Sequence, residues 1–147
     1  MATQGLVGKI LGGRYRLEQR VGQGAIGDVY RATDTQSDQV VAVKVVHSYY
    51  ASKPSFQARF IQTFGVIATL QHSNIMPVRD YEARDGYLYV VMDYVDGGAL
   101  TTLIEQKTRG VNQVDLLEAV EIVSQLARAL HFAHQQNILH RDLTPKN

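Results

Sequence analysis

Val21 to Lys44 reads VGQGAIGDVYRATDTQSDQVVAVK, and the placing of its glycines decides the fold. Gly22, Gly24 and Gly27 stand between two apolar-alternating segments, the pattern of a hairpin whose tip carries few side chains. Such a tip lets backbone N–H groups approach a bulky anion, and a phosphate chain is the expected one. Val40 to Val46 is a nearly unbroken β-branched run, which predicts a buried strand with one charge, Lys44, in its middle. A lysine there needs an anionic partner, and a phosphate gripped by the glycine turn would be one. The spacing G-x-G-x-x-G also opens dinucleotide-binding folds, but there it begins a helix. Here Asp28-Val29-Tyr30-Arg31-Ala32 continues as a second strand, which rejects the dinucleotide reading.

The chain has 147 residues, 45% of them hydrophobic, enough for one modest core or for a small domain and part of another. A net charge of +1 offers no electrostatic argument for nucleic acid or an acidic membrane. With no cysteine there is no disulfide and no thiolate metal site, and cytoplasmic residence is expected. Met1 to Gly12 lacks the basic-then-apolar pattern of a signal peptide, and no stretch approaches the ~20 apolar residues that cross a bilayer. No membrane contact is expected from this segment.

Taken in order, residues 1–13 read as a glycine-rich leader, loose although Leu6, Val7, Ile10 and Leu11 have the character to pack on a sheet. Arg14 to Val21 alternates with period two and makes a first strand, and the polar Asp34 to Gln39 closes a hairpin between the second and third. Phe56, Phe60, Phe64, Ile67 and Leu70 recur at spacings of three and four and predict one helix, with Ser52 or Ser55 as N-cap and Pro54 near its start. Ile75 to Glu82 and Tyr87 to Asp93 are strands joined at Asp85-Gly86. The result is an α+β fold, a five-stranded antiparallel sheet with one helix. After Gly97 and Gly98, Ala99 to Lys107 forms a short helix. A long one follows to about Gln135, with Asn112 and Asp115 as a variant cap. Its apolar surface, from Leu116 and Leu117 through Val120 and Val123 to Leu130, is wide enough to expect burial on more than one side.

Three motifs then stand in order: the glycine turn ending in Val29, the run Val41-Ala42-Val43-Lys44, and His140-Arg141-Asp142-Leu143-Thr144-Pro145-Lys146-Asn147. Together they resemble the protein kinase family, nearest the bacterial serine/threonine kinases, over about Gly13 to Asn147 and over only the first half of a kinase domain. The resemblance divides the chain into a leader (1–13), an N-lobe (14–95) and the start of a C-lobe (96–147). It implies ATP and magnesium as cofactors, a protein substrate or regulatory partner, and transfer of the γ-phosphate to Ser or Thr in the complete protein. Gly22, Gly24 and Gly27 would cover the phosphates, and Lys44 would bind the α and β phosphates. Val29 and Ala42 would flank adenine. Met92 would be the apolar gatekeeper before a hinge, including Asp93 and Val95, whose backbone pairs with the base. Asp142 would accept the proton of the attacking hydroxyl, and Asn147 would hold the metal.

Four departures qualify the match. Thr63 stands where the family places a helix glutamate that pairs with the strand lysine, and no Asp or Glu occurs from Gln39 to Arg79. Gln62 offers only a neutral hydrogen bond, and Gly65 weakens the helix by ~1 kcal/mol relative to alanine. Thr144 replaces a lysine that contacts the transferring phosphate, and Ile26 replaces an aromatic at the glycine-loop tip. The sequence ends before the Asp-Phe-Gly metal site. This chain by itself is therefore expected to be inactive, with self-association through helix 114–135, and a pseudokinase or truncated regulatory module is the alternative. A small-molecule phosphotransferase is disfavoured, because its catalytic loop usually lacks the H-R-D-L sequence.

Overall fold

The structure is a computed structural model that describes residues 5–109 and 114–146. Six antiparallel strands form one sheet in the order β1-β2-β3-β4-β6-β5: β1 (Ile10–Leu11), β2 (Tyr15–Gln23), β3 (Gly27–Asp34), β4 (Gln39–Val46), β5 (Val78–Arg84) and β6 (Tyr87–Asp93). The five predicted strands are all present. The sixth, β1, comes from the stretch expected to be loose: Ile10 pairs with Arg16, Leu11 pairs with Tyr15, and Leu11 is buried. Two residues are too few to show a period, so only their apolar character foretold the strand. The hairpin at Asp85-Gly86 is also as predicted, with both residues at positive φ (52° and 78°), the twist that matches flanking strands.

Strand parity divides the sheet into two faces. One is sealed by Leu11, Tyr15, Leu17, Tyr30, Val43 and Tyr89, with Leu6 of the leader packed against them. The other carries Val46 and Leu88, on which α1 (Ser48–Ala51) and α2 (Pro54–Ile67) lay Ala51, Tyr50, Phe56, Phe60 and Ile61. Lys44, two residues before Val46, belongs to this second face.

The start of α2 departs from expectation. Lys53 is its N-cap, Pro54 follows at the first helical position, and neither serine caps it. Proline disfavours helical geometry in the residue before it, and Lys53 is accordingly extended (φ −90°, ψ 115°), which sets the boundary.

The chain divides into two compact units: Met1–Gln71 with Met76–Tyr94, and His72–Ile75 with Val95–Asn147. The second holds α3 (Leu100–Arg109) and α4 (Leu116–Gln135). Asn112, half of the expected cap, lies outside the described residues, and Asp115 is the N-cap of α4 without a side-chain cap bond. The helix ends in a Schellman motif, with Asn137 at positive φ (59°). There the Asn137 N–H bonds the His134 carbonyl (2.9 Å) and the Ile138 N–H bonds the Ala133 carbonyl (3.0 Å). Leu116, Leu117, Val120 and Val123 of α4 are exposed. Among the described residues no helix is long and apolar enough to cross a membrane.

Candidate functional site

The glycine hairpin joins β2 to β3, with Gly22 opposite Val29 and Gln23 opposite Asp28, leaving Gly24 to Ile26 at its tip. Close approach, not unusual backbone angles, accounts for two of its glycines. A Cβ on Gly27 would stand 2.4 Å from the Val45 carbonyl oxygen, inside any real contact distance, because β3 and β4 pass so near there. On Gly24 it would meet the Gly27 carbonyl oxygen at 3.0 Å. On Gly22 it would meet only the Val29 side chain, at an ordinary 3.5 Å from Cβ and 3.7 Å from Cγ2. The His47 amide donates to the Ile26 carbonyl (2.8 Å), tying the tip to the end of β4.

Beside the hairpin the register aligns side chains on one face. Val29 lies opposite Lys44, which lies opposite Val90; one pleat repeat away, Arg31 lies opposite Ala42, which lies opposite Met92. Val29, Ala42, Lys44 and Met92 therefore share one face, within a patch of roughly 10 by 7 Å at the spacing of neighbouring strands and of alternate residues. Lys44 is half-buried, and among the described residues it makes no ion pair. Thr63 and Gln62 of α2 are exposed. At the end of β6, Asp93 is bound by Arg79, whose other arm reaches Gln39 Oε1 (2.7 Å). One side chain thus joins the ends of β4, β5 and β6 where the hinge was predicted. Val95, in the second unit, is exposed.

Two groups of polar residues escaped the sequence reading. On the Lys44 face, Glu18 accepts from Arg31 and from Thr33 Oγ1 (2.6 Å), and the Thr33 hydroxyl together with Arg31 holds its carboxyl below the usual range. Arg31 also lies over the Tyr94 ring, 5.9 Å from its centre. Period two would have put Arg31 beside Val29, so this signal was available. On the opposite face Asp28 is buried, within 3.1 Å of His47 Nε2 and 3.5 Å of Arg20 Nη1.

In the second unit, Asp142 is exposed and its N–H donates to His140 Nδ1 (3.3 Å). Arg141 has positive φ (63°), which turns the chain between them. The Pro145 carbonyl accepts from the Thr101 amide (3.0 Å), fastening this loop to α3. The turn at His72 to Ile75 packs on α4, where Asn74 Nδ2 donates to Gln125 Oε1 (3.0 Å) and His72 lies 5.2 Å from the Phe132 ring. An apolar cleft of about 380 Å³ opens between Leu100, Ile122, Leu126 and Leu143. Asn147, the predicted metal ligand, lies outside the described residues, and among the described ones no cluster of three or more His, Cys, Asp or Glu would hold a metal.

A glycine hairpin beside a strand lysine, followed by a helix on the lysine's face and an H-R-D loop in a second unit, defines a protein kinase scaffold. Residues 15–147 match the protein kinase domain family, and the chain belongs to it. It is 36% identical over 142 residues to the probable serine/threonine-protein kinase PknB of Lactococcus lactis, covering 96% of this chain and 22% of that protein. Serine/threonine-protein kinase PrkC of Bacillus subtilis is 34% identical over 142 residues, covering 97% of the chain and 21% of that protein. Among solved structures, the kinase domain of Mycobacterium tuberculosis PknI superposes with a TM-score of 0.80 at 34% identity, covering 97% of this chain and 56% of that one. The chain thus spans about a fifth of the length of these curated relatives.

Proposed function

We propose that this chain forms the ATP-binding part of a serine/threonine protein kinase that transfers the γ-phosphate of ATP to protein hydroxyls. The observation that carries the reading is the shared face of Val29, Ala42, Lys44 and Met92 beside a hairpin with glycine where backbones nearly touch. Val29, Ala42 and Met92 offer a flat apolar patch to a base, and the backbone of Asp93, next to Met92 at the end of β6, would bond its edge. Lys44, half-buried and without an ion pair among the described residues, fits a phosphate that neutralises it. Gly22, Gly24 and Gly27 leave the hairpin's N–H groups open toward the same anion.

Bound ATP would supply an activated phosphoryl group, and positioning would supply most of the rate. Asp142 would accept the proton of the attacking hydroxyl, and Asn147 would hold magnesium. Lys44 without its helix carboxylate favours a second reading, a regulatory module that binds nucleotide but transfers phosphate weakly. Titration with a fluorescent ATP analogue, comparing wild type with Lys44→Met, tests the proposal. A loss of affinity of about tenfold or more, as for one charge-assisted contact, is expected. Equal binding by the two proteins would remove Lys44 from the site. Radiolabel transfer to a generic protein substrate by the full-length protein then separates the two readings.

A further inference from the structure

We infer that Asp28 is a positioning residue for the glycine hairpin, latching its tip from behind. The inference rests on reading that hairpin as the nucleotide's phosphate clamp.

Asp28 shares strand parity with Tyr30 and Ala32, both fully buried, and so stands on the face opposite Val29 and Lys44. Its side chain is only 1% exposed. Around it converge Arg20 from β2, at 3.5 Å, and His47 from just beyond β4, at 3.1 Å. These residues bracket the tip. Arg20 stands immediately before a register shift in β2, where the pairing skips from Arg20 to Gly22. His47 carries the amide that bonds the Ile26 carbonyl. One carboxylate therefore joins the strand entering the tip, the strand leaving it, and the neighbour to which the tip is hydrogen-bonded.

A buried charge is costly, and an apolar residue of similar volume is often at least as stable there. What an apolar residue lacks is direction. The carboxylate demands partners at set positions and so holds the bulged end of β2 against β3 and β4. The tip itself has few side chains with which to hold its own shape: Gly24, Ala25 and the exposed Ile26. A clamp of backbone N–H groups works only if its frame is fixed, and misplacement by about 1 Å can cost on the order of 10²-fold in a positioned reaction.

The sign of the effect separates this role from simple electrostatics. Removing a negative charge near a phosphate site, and leaving Arg20 without it, would by charge alone tighten nucleotide binding. Loss of a latch weakens it. The control is Asp34→Asn: Asp34 is an equally buried acid at the far end of β3, paired with Arg14 away from the tip.

The experiment compares Asp28→Asn, Arg20→Met, His47→Ala and Asp34→Asn in the full-length protein. Hydrogen exchange without nucleotide is followed by mass spectrometry, and a fluorescent ATP analogue is titrated into each. Expected for Asp28→Asn are faster exchange confined to residues 23–27 and 46–47, and nucleotide binding weakened by about tenfold, inside the range that misplacement allows. Arg20→Met and His47→Ala should each give a smaller change of the same sign. If Asp28→Asn fails to fold, their exchange at the tip decides the matter, because losing the Arg20 charge would by itself also weaken binding. Tighter binding, unchanged exchange at the tip, or an equal loss in Asp34→Asn would overturn the inference. A wild-type protein that binds no nucleotide would overturn the clamp reading instead. The exchange comparison, which needs no nucleotide, would then decide the latch alone.

Discussion

Gly27 faces the Val45 carbonyl so closely that a Cβ on it would lie 2.4 Å from that oxygen. The backbone cannot yield there as a flexible side chain would. The three glycines of the hairpin should therefore respond to alanine in a graded way. Gly27→Ala is expected to weaken both thermal stability and nucleotide binding most. Gly24→Ala, at 3.0 Å from the Gly27 carbonyl, should be intermediate, and Gly22→Ala, at an ordinary 3.5 Å from Val29, should have the least effect on folding. Thermal melts with and without nucleotide check the order. A Gly22→Ala protein less stable than Gly27→Ala would contradict it.

The end of the leader is part of the core. Leu11 is buried with Tyr15 and Leu17, so Leu11→Ala should cost about 2–5 kcal/mol, the range for a buried leucine. Gly12 has φ +57°, and a Cβ there would meet the Tyr89 hydroxyl at 2.4 Å. Tyr89 is engaged by Glu82, and burial together with that acceptor raises its phenol well above the usual range. Gly12→Ala should cost about 1–3 kcal/mol from backbone conformation alone. Urea denaturation of both variants measures these losses. A Leu11→Ala protein as stable as wild type would return the leader to a loose role.

Much of this architecture was legible because alternation and turn residues are local signals. Alternation placed β2 and β3, an unbroken β-branched run placed β4, Asp85-Gly86 marked the hairpin between β5 and β6, and the V-A-V-K run put Lys44 inside a strand. What was missed depended on partners distant in sequence. β1 is too short to alternate and is fixed by pairing with β2. Ser52 and Ser55 are good capping residues, but the constraint from Pro54 outweighed them. Asp28 reads only as the polar first residue of a strand, and only pairing across β2, β3 and β4 shows it buried. The unmatched Lys44 was legible for the opposite reason: the absence of any acid from Gln39 to Arg79 needs no structure.

Acid should weaken the fold through Asp34. Arg14 binds both its carboxylate oxygens (2.8 and 2.7 Å), and the Gln36 amide and Ser37 hydroxyl add to the grip. The Arg14 hydrogen bonds, more than any other cause, hold this carboxyl well below its usual range. A depressed folded value stabilises the protein above the unfolded value of about 3.9 and loses that contribution as pH falls below it toward the folded value. Wild type should therefore lose stability steadily below about pH 4. Asp34→Asn should be less stable at neutral pH and show a shallower acid limb. Denaturation midpoints at pH 7, 4 and 3 test this, and parallel curves for the two proteins would exclude Asp34 as the cause.

Gly65 looked like a pure cost to α2, yet its position on Tyr81 explains it. A Cβ there would lie 3.2 Å from the Tyr81 hydroxyl, while neighbouring Phe64 packs on the same ring at 6.5 Å between centres. Alanine should gain about 1 kcal/mol from helix propensity but lose part of it by pushing the phenol aside. The balance can be separated in a double-mutant cycle. Gly65→Ala in a Tyr81→Phe background, where the hydroxyl is gone, should recover the full gain of about 1 kcal/mol, and in wild type clearly less. The difference between the two backgrounds, read from urea unfolding, is the cost of the contact. Equal gains would mean that Tyr81 yields freely and that packing on this ring does not account for the glycine.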